Sequence, residues 1–355
     1  MNARSRQLGV SLVELMVALL LGLVVVGAAM AVFLANKQTY VATETIGRLQ
    51  QTSRVAFELM ARDLREAASD ACGAGLTDAV NVLNDPAGRW YTDIAGGIRG
   101  YAGGAAFPDA AFGTGESDRV AGTDAVEVMG AGPAIATIVK HNPPAATFQV
   151  NTTSHGVSSG DIAIACDAEH AAVFQVTSAS ALNSTIVHNT GTVPGGPGNC
   201  TQGLGAPLDC SSPGGTAYQF GCEFGGTQAG TDCTDPADQW SAFIAPLRAL
   251  RWYVGCNGRV ACDQPGGRSL YRARLDNNGG TLATERDEIA EGVADMALGY
   301  LVAGSAGYVD APAVSDWGAV VAVRVQLDLA GSDLVDGQQL QRTLEHVVAL
   351  RSRAP

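Results

Sequence analysis

The chain has 355 residues, 46% of them hydrophobic and 16% charged, with 44 glycines, eight cysteines and a net charge of −13. That length holds one large domain or two smaller ones; the apolar content excludes a disordered polymer, and the glycines follow no collagen period. The deficit of basic residues argues against a nucleic-acid partner, because phosphate contacts need a Lys/Arg surface. Charge is also uneven: residues 1–70 sum to +1 and the rest to −14, so a nearly neutral stem precedes a strongly acidic body.

From Leu15 to Ala35 no residue is charged. As a helix this run spans about 31 Å, the hydrocarbon thickness of a bilayer. Arg4 and Arg6 precede it, which places the N-terminus in the cytoplasm and the body outside. Three readings fit: a secretory signal cleaved at Ala29-Met30-Ala31, an uncleaved anchor for a periplasmic domain, and a third that turns on Glu14. A lone acid at a bilayer centre costs about 2.5–3.5 kcal/mol, and intramembrane acids usually have a partner. No cation nearby in the chain neutralises Glu14, which points to a partner on another molecule.

A short basic leader ending in Gly9, then Val10-Ser11-Leu12-Val13-Glu14 and an unbroken apolar run, resembles the class III signal of type IV pilins. The resemblance implies cleavage after Gly9 by a prepilin peptidase, methylation of the new amino terminus at Val10, and Glu14 as the fifth mature residue. It also implies that Glu14 of one subunit pairs with the Val10 amine of the next as subunits enter a filament. Two residues depart from the family pattern. Val10 stands where phenylalanine is more common, and Ala31 where many major pilins have a helix-kinking proline.

The helix is expected to continue past the membrane. Thr39 to Ala68 contains no proline and one glycine. Ile46, Leu49, Ala56, Met60, Leu64 and Ala67 recur at i+3/i+4 steps, while Glu44–Arg48, Arg54–Glu58, Glu58–Arg62 and Arg62–Glu66 make opposite-charge i,i+4 pairs. Helix signals stop at Ala71-Cys72-Gly73-Ala74-Gly75, so Val10–Ala68 forms a rod about 90 Å long. The expected organisation is a leader (1–9), a transmembrane half of the stem (10–35), an amphipathic half (36–71) and a β-rich head (72–355) carrying a Gly- and Cys-rich insertion (189–236).

In the head, residues 76–120 show no regular pattern. Strands are expected at Ala125–Met129, Thr137–His141 and Thr147–Asn151, then in a meander of Asp161–Cys166, Ala172–Thr177 and Thr185–His188. Further strands follow at Phe243–Val254, Ser269–Arg274, Ala294–Val302, Ala319–Leu329 and Gln341–Arg351. The fold class is α+β: a long helix packed on an antiparallel head. The runs GDIAIACDAEHAAVFQVT, RSLYRARL, EIAEGVADMALGYLV and WGAVVAVRVQLDL, and the ending LEHVVALRSRAP, resemble PilW-type minor pilins. That resemblance implies a part in pilus initiation and the tip complex, with other minor pilins, the major pilin, the inner-membrane assembly platform and a tip adhesin as partners. It implies passage from the inner membrane to the pilus tip, and no cofactor. A minor pseudopilin of a type II secretion system shares the leader, stem and β head.

Eight cysteines in an oxidising compartment point to disulfides, with about a hundred possible connectivities. Local pairing is expected because short loops close at little entropic cost: Cys200–Cys210, Cys222–Cys233 and Cys256–Cys262, with Cys72–Cys166 joining stem to head. Zinc is disfavoured by the absence of C-x₂₋₄-C spacing and of a histidine beside the cluster. Gly156-Val157-Ser158-Ser159-Gly160 matches the G-x-S-x-G elbow, but a strand pattern follows where the motif needs a helix, so the match reads as a turn and no catalytic residue is assigned. Asp276-Asn277-Asn278-Gly279-Gly280 reads as a β-turn rather than a calcium loop. His141, His155, His170, His188 and His346 lack metal-ligand spacing and are expected on the surface. Trp240, Trp252, Trp317 and Tyr271 are expected in the core.

Overall fold

The computed structural model describes residues 11–353 apart from 70, 74–75, 77–78, 85–87, 95, 222–241 and 336–337. Its single long helix, α1, runs from Leu12 to Arg65, about 80 Å at 1.5 Å per residue. It ends short of the expected Ala68 because the head takes over the backbone there. Ala68 turns to φ +57° and its amide donates to the Met129 carbonyl at 2.7 Å, while the Ser69 hydroxyl donates to the Glu66 carbonyl at 2.6 Å. Gly97, at φ +63°, lies so close that a Cβ there would sit 2.4 Å from Ala68 Cα.

Among the described residues the head has sixteen strands: β1 Val80–Asn81, β2 Ile98–Tyr101, β3 Ala125–Ala131, β4 Ala136–Asn142, β5 Thr147–Val150, β6 Ile162–Cys166, β7 Ala171–Gln175, β8 Ser178–Ala179, β9 Thr185–Val187, β10 Phe243–Cys256, β11 Arg268–Asn278, β12 Thr281–Glu291, β13 Val293–Val302, β14 Tyr308–Val309, β15 Val320–Val335 and β16 Gln338–Ala349. They form a branched twelve-stranded sheet and a four-stranded sheet ordered β14-β13-β15-β16. The spine of the larger sheet is β10. Its first residues pair with β6 and β4, and its remainder with β3 on one side and β11 on the other. The pairing is antiparallel with one exception that corrects the all-antiparallel expectation: β1 runs parallel to β7 through Val80↔Ala172.

Five strands were not expected: β1 and β2 lie in the stretch read as patternless, β8 and β14 are two residues long, and β12 is the longest of the five. The Thr281–Glu291 segment, TLATERDEIAE, is mostly exposed and pairs only with β11. An edge strand presents little apolar surface and tolerates charge, so its pattern lacks the alternation that marks a half-buried strand. Register comes instead from the turn: Asn278 and Thr281 pair across Gly279 and Gly280, at φ +65° and +96°, the left-handed pair a two-residue hairpin needs.

Two main cores divide the head. The first gathers the helix residues Leu49, Ala56, Phe57, Met60 and Leu64, and Ala67 of the turn that follows, with Val128, Trp252, Leu270, Met296, Tyr300, Val325 and Leu327. The stripe differs from expectation at one end: Ile46 is 44% exposed, while Phe57 turns inward. The second core contains Phe148, Phe174, Ile186 and Ile244, plugged from outside by Leu204 and Phe220 of the insertion. Trp252 and Tyr271 are buried as expected and Trp317 packs at the edge of the first core; Trp240 lies outside the described residues.

Leu64→Ala removes a fully buried side chain where stem meets both sheets. The expected loss is about 2–5 kcal/mol, measured by denaturant unfolding of the detergent-solubilised chain; a loss under about 1 kcal/mol would contradict this packing.

Candidate functional site: the stem and its junction with the head

The stem has two halves with opposite surroundings. From Leu12 to Leu34 every large apolar side chain is more than half exposed, Leu12 at 75% and Leu23 at 77%. This half is long and apolar enough to cross a membrane and has no part buried against the head. A soluble chain does not leave such a surface uncovered. Ser11 stands extended at the N-cap position without a capping side-chain hydrogen bond, and Glu14 sits exposed in the first turn, where the aligned peptide dipoles favour a negative charge. Among the described residues no cation lies within salt-bridge distance of Glu14. Gly9 and Val10 lie outside the described residues.

The second half is fixed to the head by charge as well as by apolar contact. Asp63, 3% exposed, accepts from Arg248 Nη2 at 2.8 Å and from Trp252 Nε1 at 3.1 Å. Arg272 Nη1 lies 3.8 Å away, and Arg248 also binds Glu66. Burial pushes the Asp63 carboxyl above the usual aspartate range, opposed by attraction to Arg248 and Arg272. Beyond the helix, Cys72 is bonded to Cys166 of β6, and the Ser352 hydroxyl donates to the Ala67 carbonyl at 2.8 Å. The head is thereby fastened to the last turn of the stem from several directions.

The remaining cysteines serve the head. Cys200 is bonded to Cys210 and Cys256 to Cys262; Cys222 and Cys233 lie outside the described residues. The G-x-S-x-G segment is a turn leading into β6. The Ser158 amide donates to Asp161 Oδ2 at 2.7 Å, and Asn277 of the β11–β12 hairpin donates to the Ser159 carbonyl and to Asp161 Oδ1. The segment is thus engaged in joining two turns. The surface expectation for histidine needs correction at three positions: His141, His155 and His188 are buried, the last at 0% exposure. Each sits in a strand or turn that other segments cover, and no spacing signal distinguishes such a histidine from an exposed one. His346 lies against Phe57, ring centres 4.3 Å apart.

Residues 4–30 match the prokaryotic N-terminal methylation motif, the class III signal of type IV pilins. Comparison with curated proteins and with solved structures found no match. The chain thus carries a prepilin-type signal that runs into an uncovered apolar helix of membrane-spanning length, the N-terminal arrangement of pilin-like and pseudopilin proteins, followed by a β-rich head.

Asp63 gives a test of the junction. A carboxyl whose folded pKa is raised contributes stability at low pH, lost as pH rises through the folded value. Arg248→Met removes a counter-charge and raises that value further. The variant is expected to be about 2–3 kcal/mol less stable than the parent at pH 7, with the deficit shrinking on acidification towards pH 5. Equal deficits at both pH values would show that Asp63 is not the group responsible.

Proposed function

We propose that this protein is a minor pilin, of PilW type, that helps initiate a type IV pilus and occupies its tip complex. The observation that carries this is the methylation motif at residues 4–30 running straight into a helix whose apolar surface the chain leaves uncovered. In this account a prepilin peptidase cuts after Gly9 and the Val10 amine is methylated, leaving a cation at the head of an apolar rod. In the membrane, neighbouring stems offer the burial that the head does not, at roughly 25 cal/mol per Å² of apolar surface covered. Glu14 sets the axial register, because only one offset places the carboxylate of one stem against the amine of the next, and an unmatched charge in lipid is strongly penalised.

The partners are then the other minor pilins, the major pilin, the inner-membrane assembly platform, the prepilin peptidase and a tip adhesin. Before assembly the chain crosses the inner membrane once, N-terminus in the cytoplasm and head in the periplasm. Its role is to bind and position subunits, not to catalyse a reaction. The strongly acidic head, −14 beyond residue 70, favours solubility and basic partners over nucleic acid.

Glu14→Ala tests the pairing in cells. Surface pili and the motility they support are expected to fall at least tenfold, while the variant still reaches the inner membrane and its head resists proteolysis like the parent's. Unchanged piliation would remove the pairing role. Loss of protein secretion with piliation intact, in a strain lacking the chain, would make it a minor pseudopilin of a type II secretion system.

A further inference from the structure

The second core holds two imidazoles among its phenylalanines and aliphatic side chains. His141 on β4 and His188, which directly follows β9, are both 0% exposed, and their Nε2 atoms lie 3.3 Å apart. The His141 ring stacks on Phe148 at 4.2 Å between centres, with Phe220 at 5.6 Å; His188 lies 4.7 Å from Phe148.

The hydrogen bonds determine where the protons sit. The Phe220 amide donates to His141 Nδ1 at 3.4 Å, so His141 carries its proton on Nε2 and donates it to His188 Nε2. His188 then holds its own proton on Nδ1, which makes no hydrogen bond of normal geometry. The sites for a second proton are faced by donors, Nδ1 of His141 by the Phe220 amide and Nε2 of His188 by the N–H of His141, and against them the backbone of Tyr218 offers a charged His141 a hydrogen bond. Protonating either ring forces two N–H groups together in a sealed apolar space.

Among the described residues no carboxylate in contact with the two rings offsets such a charge. β5, β7 and β9 carry no ionisable side chain. On the other packed segments the ionisable groups are Lys140, Tyr218, the buried His155, whose ring is bonded to Asn183 and Val157, and the exposed Asp209, whose carboxylate is bonded to Ser211. The Asp167–His170 pair of the β6–β7 turn reaches Tyr218, the His170 ring 4.1 Å from the tyrosine. Among the described residues, help to a charged His188 comes from the backbone of His188 and Gln202.

The same pair pins the insertion. Gln219 Nε2 donates to the His141 carbonyl at 2.7 Å, Phe220 is bound to the His141 ring, and Asn199 donates to the His188 carbonyl at 3.3 Å. We propose that His141 and His188 form a proton-operated latch: neutral, they hold the 199–221 segment closed over the second core, and in acid their protonation releases it and uncovers the phenylalanines beneath.

The direction of the effect follows from linkage. Burial lowers both rings below the usual histidine range, His188 to about 3. The closed form therefore takes up no proton on His188 as pH falls from 6.5 towards that value, whereas a released histidine does. The closed form loses relative stability as pH drops below about 6.5. Between pH 7.5 and pH 5 the open population is expected to rise about thirtyfold if one ring is freed and about a thousandfold if both are.

Hydrogen exchange on the full chain in detergent micelles, corrected for intrinsic rates, tests this. Amides of residues 199–204 and 218–221 should lose protection at least tenfold at pH 5, reversibly, while β13 and β15 stay unchanged. Replacing both rings, His141→Phe with His188→Phe, should abolish the pH dependence, whereas His188→Phe alone should leave no more than the thirtyfold of the remaining ring. Should the double variant fail to fold, histidine ring nitrogen shifts of the parent decide. Two rings that take up protons together with release of the segment support the latch. Protection that is unchanged at pH 5, equal pH dependence in the double variant, or segment release while both rings remain neutral would overturn it.

Discussion

Between Leu49 and Ala67 one stripe of α1 lies inside the core that both sheets share, and Asp63 sits within that stripe at 3% exposure, bound to Arg248 and Trp252 of the spine strand. Apolar burial supplies the larger part of the attraction there. The buried carboxylate adds orientation, because its two acceptor oxygens are satisfied only when β10 crosses the helix at one height and one rotation. A helix held only by a greasy stripe could slide by a turn; a helix whose single buried acid meets a tryptophan N–H and an arginine cannot do so without stranding charge.

The helix up to Tyr40 is left outside the head. The same helix that is sequestered at Met60 is fully uncovered at Leu23, though nothing in its backbone distinguishes the two halves. The difference lies in side chains alone. The first half is apolar all round and therefore needs lipid or other helices, while the second is amphipathic and needs one covered face. The Asp63 junction and the Cys72–Cys166 disulfide fasten the head to the second half, and the proposed role in assembly rests on the first.

The parts of this plan that repeat regularly were legible in the chain. The leader and Glu14 are a local pattern, and the stem shows a 3.6-residue period broken only where the head captures the Ala68 amide. Strands with buried faces, such as Ile162–Cys166 and Val320–Leu329, announce themselves as apolar or alternating runs. What escaped was whatever depends on distant neighbours. Thr281–Glu291 is a strand because β11 lies beside it, not because of its own charged residues. Ile46 and Phe57 exchange exposure according to how the helix rolls against β15 and β16. His141 and His188 are buried because the irregular 199–221 segment folds back over them, which no local spacing encodes. Gly9 and Val10, on which the processing account rests, are read from the motif alone.

The central claim is that the chain is a processed stem, not a cleaved secretory signal or an untouched anchor. Intact-mass measurement with N-terminal sequencing of the protein recovered from membranes tests it directly. The account predicts a chain beginning at Val10 with one extra methyl group on its amine. A chain beginning after Ala31, or one that retains Met1, would contradict it.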